Sequence, residues 1–214
     1  GLLTYDGEWD GNLTPTDIDN FDLRFEIIPR RGEIISASVF YKSFDRPIEL
    51  VRIYQAQTNN EFQTRNVGDG QLYGFEFEFR KRLDFSAGKL ENWSVNGNVT
   101  ITESQIDMFS NEREAREEFQ KDGEDIDGTR DMAGQAPYVI NAGISYENFD
   151  KGLDAGLFYN VQGATLVVVG GSLFPDVYTE PFHSLNFNMN KQFGERLGVH
   201  LSVSNLLNHG REHF

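Results

Sequence analysis

Cysteine is absent from all 214 residues. Disulfide staples, thiolate metal sites, cysteine nucleophiles and a lipid-modified cysteine anchor within this stretch are excluded, whereas an oxidising compartment is not. Long apolar runs are absent too. The most apolar stretch, ATLVVVGG at 164–171, falls far short of the roughly 18 residues that a membrane-spanning helix needs. Basic residues are scarce, 19 against 34 acidic, and the net charge of −15 disfavours nucleic acid and anionic membrane surfaces as partners. The chain opens GLLTYDGEWDGN, with no initiator methionine, basic leader or apolar leader core, so residue 1 is expected to lie inside a longer protein. A mean hydropathy of −0.50 leaves membrane-crossing strands open, because each needs only about ten residues, half of them polar.

What the chain does have is alternation. In QLYGFEFEFRKRL, residues 71–83, Phe75, Phe77 and Phe79 interleave with Glu76, Glu78 and Arg80. A period of two places successive side chains on opposite faces of a strand, so one face is aromatic and the other ionic. The same reading gives strands at 21–28, 33–44, 71–83, 92–106, 136–148, 153–170, 181–193 and 196–208, with a weaker hairpin at 48–57 and 61–66. Trp93, Val95, Val99 and Ile101 share a face, as do Leu185, Phe187 and Met189. Opposite them stand Ser94, Asn96, Asn98 and Thr100, and Asn186, Asn188 and Asn190.

The connections alternate in length without exception. Short links at 29–32, 84–91, 149–152 and 194–195 interleave with long ones at 45–70, 107–135 and 171–180. A soluble sandwich has no reason to keep its long loops on one side, whereas an outer-membrane barrel has tight periplasmic turns and long extracellular loops. The expected fold class is therefore all-β: an antiparallel transmembrane β-barrel, lipid outside and water inside. Tyr41, Phe44, Tyr73, Phe85, Trp93, Tyr138, Tyr146, Phe149, Phe182 and Phe193 lie near strand ends, where interfacial aromatic girdles are expected. With short turns periplasmic, residues 1–20 and 209–214 both lie outside the cell, and at least one further strand is expected before Gly1 and after Phe214.

The segments TPTDIDNFDLRFEIIPRRGEIISASVFYKSFDRPIEL, NVGDGQLYGFEFEFRKRL, RDMAGQAPYVINAGISYEN and LSVSNLLN resemble, in this order, the C-terminal barrel of TonB-dependent outer-membrane receptors, particularly the SusC-like type of the Bacteroidetes. The resemblance implies a barrel of about 22 strands. This chain would supply roughly the last third, as one domain over 1–214, with the plug and the final strand elsewhere. It also implies location in the outer membrane of a Gram-negative bacterium, contact with its lipid, and active import of a nutrient such as an oligosaccharide, peptide or siderophore. TonB would act through the missing N-terminal part, and a SusD-like surface lipoprotein could serve as a lid.

Several constellations invite chemistry. The loop 107–135 joins a helix-permitting stretch to the acidic cluster Asp122, Glu124, Asp125 and Asp127, an oxygen-rich set of the kind calcium takes. The EF-hand register fails, because aligning Gly128 with the template glycine puts Gly123 where the first Asp belongs; a solvated loop over the substrate is the expectation. His209 and His213 have helical metal-ligand spacing in HGREH, but Gly210 stands where HExxH has Glu. His200, Ser202 and Ser204 share a face without an acidic orienter, as a lumen lining would. Glu76, Glu78, Arg80, Asn96, Asn98, Asn186 and Asn188 are the lumen-facing candidates for substrate contact. No catalytic constellation, metal site or cofactor is expected. A structural barrel without transport and a soluble carbohydrate-binding sandwich using Trp9 and Trp93 are the competing functions.

Overall fold

A computed structural model describes residues 10–52, 62–84, 88, 90–123, 125–171 and 174–212. In chain order the elements are β1 (Asp17–Ile27), β2 (Ile34–Asp45), β3 (Ile48–Arg52), β4 (Phe62–Asn66), β5 (Gly70–Arg82), β6 (Trp93–Asp107), α1 (Ser110–Glu117) and β7 (Thr129–Arg130). Then follow β8 (Tyr138–Asn148), β9 (Leu153–Gln162), β10 (Thr165–Val168), β11 (Val177–Thr179), β12 (Phe182–Phe193) and β13 (Leu197–Val203). The wall is one antiparallel sheet in the order β1-β2-β5-β6-β8-β9-β12-β13, with β7 paired to the end of β6. Among the described residues its outer edges, on β1 and β13, are unpaired, and the sheet is not closed.

Register turns the alternation of single strands into continuous rows. Phe25, Ala37, Phe77, Val99, Ile140, Val161 and His183 are successive partners across seven strands; the next row is Glu26, Ser36, Glu78, Asn98, Asn141, Asn160 and Ser184. A one-residue slip anywhere would mix the two rows, which is why the pattern specifies register so strongly. Mid-sheet, Val39, Phe75 and Ile101 still expose 51%, 42% and 56% of their surface, so none of the described residues covers the apolar face there. The expected segregation of faces is observed.

The alternation of link lengths is observed as well. Short turns at 28–33, 83–92, 149–152 and 194–196 share one end of the wall. The links 46–69, 108–137 and 163–181 share the other, where β3 and β4 form the anticipated hairpin. Gly194 takes φ +62°, supplying the left-handed residue that the tight β12–β13 turn requires. At the turn end, Trp93 and Tyr146 meet edge-on with ring centroids 5.2 Å apart on the apolar face.

Three expectations are corrected. Phe44 and Phe182 stand in polar-face rows, opposite Gly70 and Gln162, and are not girdle residues; Phe85 lies outside the described residues. The strand expected over 153–170 breaks at Gly163 and Ala164, after which β10 leaves the wall to pair with β11. A Cβ at Gly163 would press on the Tyr138 ring, so the crossing needs glycine. The last strand ends at Val203 because Asn205 adopts φ +51°.

The hydrophobic core sits among the long links, not within the wall. Val51, Val67, Ile106, Leu166 and Val169 are at most 1% exposed, with Met132, Ala133 and Tyr178 packed around them. Burial of such side chains stabilises by about 1.5–3 kcal/mol each. Ile106 lies in the polar-face row opposite Gly70, so the links fold inward over that face.

Candidate functional site

The polar face changes character across the sheet. On β1, β2 and β5 it is ionic: Arg24 reaches Glu78 at 2.9 Å and Glu26 at 3.2 Å, while Ser38 and Thr100 each donate to Glu76 at 3.5 Å. From β6 to β12 it is built of neutral amides. Asn160 donates to Asn141 at 2.6 Å and Asn141 to Asn98 at 2.7 Å, so three amides form one directed chain along the row. Arg80, Asn96, Gly143, Phe158 and Asn186 fill the neighbouring row, in which Phe158 lies over Gly143 and Gly156 as an aromatic plate among amides. Further along, Ser202 donates to Asn188 at 2.7 Å, and Asn190 donates to Asp154 at 2.9 Å. All seven lumen-facing candidates thus fall on one continuous surface.

Above this surface the long links make a folded cap. The β3–β4 hairpin meets the chain just beyond β10 through a parallel bridge between Val51 and Val169, and Gly134 donates to the Leu166 carbonyl at 2.8 Å. Gly68 has no space for a side chain, since a Cβ there would overlap the Asp107 carbonyl oxygen. Five charges from all three links meet inside. Arg130 contacts Glu49 at 2.8 Å and Glu112 at 2.7 Å, all three side chains being at most 4% exposed. Arg116 then reaches Glu112 at 3.4 Å and Asp176 at 2.9 Å. Backbone donors join in: the Glu49 oxygen not facing Arg130 accepts from the Ala133 N–H, and Asp176 Oδ1, which also contacts Arg116, accepts from the Gly170 N–H. Burial alone would lower the Arg130 pKa, but Glu112 and Glu49 more than reverse this and the guanidinium stays charged. A cleft of about 280 Å³ opens between cap and wall, lined by Gln162, Thr165, Thr179, Glu180, Phe182 and Arg211. A larger one of about 710 Å³ lies among the short turns and contains none of the candidate residues.

An open antiparallel wall with one apolar and one polar face, turns at one end and a folded cap at the other, is a segment of a membrane barrel. Residues 3–206 match the family described as TonB dependent receptor-like, beta-barrel. The chain belongs to this family. The copper transporter OprC is similar in structure at 14% identity and TM-score 0.63, over 94% of this chain and 27% of that one. The ferric-catecholate import receptor Fiu from K12 E. coli is similar at 15% identity and TM-score 0.60, over 96% and 26%. The ferric yersiniabactin uptake receptor FyuA from Yersinia pestis gives 15% and 0.60, over 90% and 25%. At these identities the likeness is one of fold, and the chain spans about a quarter of the length of the solved proteins it matches. No curated protein matches the sequence.

The remaining candidates of this receptor barrel are not brought together. Glu124 lies outside the described residues, as do Trp9 and His213; Asp122, Asp125 and Asp127 are exposed on the cap. Asp127 accepts from the Thr129 N–H at 3.0 Å and its hydroxyl at 2.8 Å, contacts that hold its carboxyl below the usual range. Among the described residues no group of three or more His, Asp or Glu side chains is arranged to hold a metal ion. His209 lies in no helix, so the helical spacing of HGREH is not realised there; His200 and Ser202 line the polar face. Sequence reading missed Arg24 and the Glu49–Arg130–Glu112–Arg116–Asp176 chain. Arg24 was visible in the alternation of FDLRFEII, whereas in the chain only the i,i+4 spacing of Glu112 and Arg116 gave any signal.

Proposed function

We propose that the complete protein imports a nutrient across the outer membrane of a Gram-negative bacterium, driven by TonB. The observation that carries this is the continuous polar surface beneath a folded cap, on a wall of this receptor family. In this reading the apolar face meets lipid, the cap is extracellular, and the unpaired edges of β1 and β13 continue into the rest of a plugged barrel. Ligand approaches past the exposed carboxylates of Asp122, Asp125 and Asp127, a negative field that favours cationic or neutral cargo. It then contacts Glu76, Glu78, Arg80, Asn96, Asn98, Asn186 and Asn188 at the wall. The finer assignment, a SusC-like receptor beneath a SusD-like surface lipoprotein, rests on the sequence segments quoted above, as does the range of oligosaccharide, peptide or siderophore cargo.

The test is uptake by a deletion strain complemented with the whole gene, with and without TonB. Uptake restored only in the presence of TonB is expected. Wild-type uptake in the deletion strain, with the barrel co-purifying in a stoichiometric assembly, would favour a structural role instead. Co-purification also decides the lipoprotein partner.

A further inference from the structure

Beyond Val203 the chain no longer pairs with β12 as a strand, yet it stays against that strand's edge. Asn205 donates its N–H to the Asn186 side chain, Leu206 donates to the Leu185 carbonyl at 2.7 Å, and the Asn205 amide brackets His209, accepting from its N–H at 3.3 Å and donating to its carbonyl at 3.0 Å. This lays the His209 ring beside Phe182 and His183, at centroid separations of 5.8 Å and 5.3 Å. His209 Nδ1 is buried and has no hydrogen-bond partner. His183 is itself oriented, because its Nδ1 is 2.7 Å from the Tyr159 hydroxyl; with Nδ1–H donating to the phenol oxygen, the Nε2 lone pair is left for a ligand.

We propose that His183 and His209 hold a divalent d-block cation such as Zn²⁺ or Cu²⁺, solvent completing its coordination, with Tyr159 as the positioning residue. With metal–nitrogen bonds of about 2.1 Å, each ring centroid sits about 3.2 Å from the ion, so two imidazoles at a tetrahedral angle have centroids about 5.2 Å apart. The observed centroid separation of 5.3 Å, with the rings inclined at 64°, matches that spacing. Imidazole pairs select d-block ions over calcium and magnesium, which take oxygen ligands. A phenol on the far ring nitrogen is the kind of outer contact that fixes tautomer and ring angle in metal-binding histidines. The ion would staple the segment 204–212 to the loop end of β12. His183 belongs to an apolar-face row, whereas the amide candidates for cargo contact lie on the polar face.

The test uses the whole receptor in detergent, stripped with chelator and titrated with Zn²⁺ by calorimetry, then loaded with Cu²⁺ for electron paramagnetic resonance. One equivalent is expected, with nitrogen splitting from two imidazoles. His183→Gln and His209→Gln should each abolish it, and Tyr159→Phe should weaken binding about tenfold or more. His209→Gln lies outside every strand, which keeps the test available if the β12 variant does not fold. Absence of binding, binding unchanged in the double variant, or binding that instead follows His200→Gln or His213→Gln overturns the proposal.

Discussion

Glu112 is a helix residue whose carboxylate is 2% exposed, and it accepts two arginines that arrive from different directions: Arg116 one turn along α1, and Arg130 from β7. Removing one member of a buried pair leaves the other charge uncompensated, at a cost of about 3–5 kcal/mol. Glu112→Gln should therefore loosen the cap, seen as faster hydrogen exchange across 108–137. Glu117→Gln, from an exposed i,i+4 pair with Arg113, should change it by less than about 0.5 kcal/mol. Equal effects would show that the buried chain does not organise the cap. Tyr178 gives a second reading of the same interior. Burial, then Asp176 and Asp131, raise its phenol from 10.0 to about 12. A raised folded value means the stabilising contribution is complete below pH 10 and is lost as pH rises through about 12. Phenolate absorbance should show one tyrosine ionising near pH 12 that disappears in Tyr178→Phe. Little of this was legible in the sequence, because Glu49, Arg130 and Asp176 sit in three separate links, and no local periodicity announces that they meet.

Elements were far more legible than their contacts. Alternation in β5 gave its two faces directly, and neighbouring strands supplied matching rows: Ala37 and Val99 flank Phe77, while Ser36 and Asn98 flank Glu78. The facing makes a sharp prediction. Phe77→Arg, near the middle of β5 on the apolar face, should cost about 2–4 kcal/mol of folding free energy in lipid vesicles. Glu78→Arg exchanges one charge for another on the polar face and should leave the folding free energy nearly unchanged, although its contact with Arg24 is lost. Comparable losses at both positions would contradict the assignment of faces. Where alternation misled, a backbone event intervened. The apolar run through Val169 continued past the point where Gly163 lets the chain cross Tyr138 and leave the wall, and NLLN continued past the left-handed Asn205. Periodicity describes side chains and is blind to such breaks.

At the scale of the whole molecule, the strands supply the architecture and the links supply the packed core. The wall leaves two edges unpaired and one face apolar, a combination that in water templates association with other chains. The cap has the opposite character: buried valines, isoleucine and leucine pack it, and an ion chain of three carboxylates and two arginines ties its links together. Expression of residues 1–214 alone tests this division. In buffer without detergent the chain should precipitate, and in detergent it should remain in solution with strand-rich circular dichroism, while limited proteolysis should cut the exposed edge strand β1 before the cap. A monomer that is stable in plain buffer would mean that the apolar rows pack on protein instead of lipid. Early cleavage within 108–137 would mean that the cap becomes ordered only in the complete barrel.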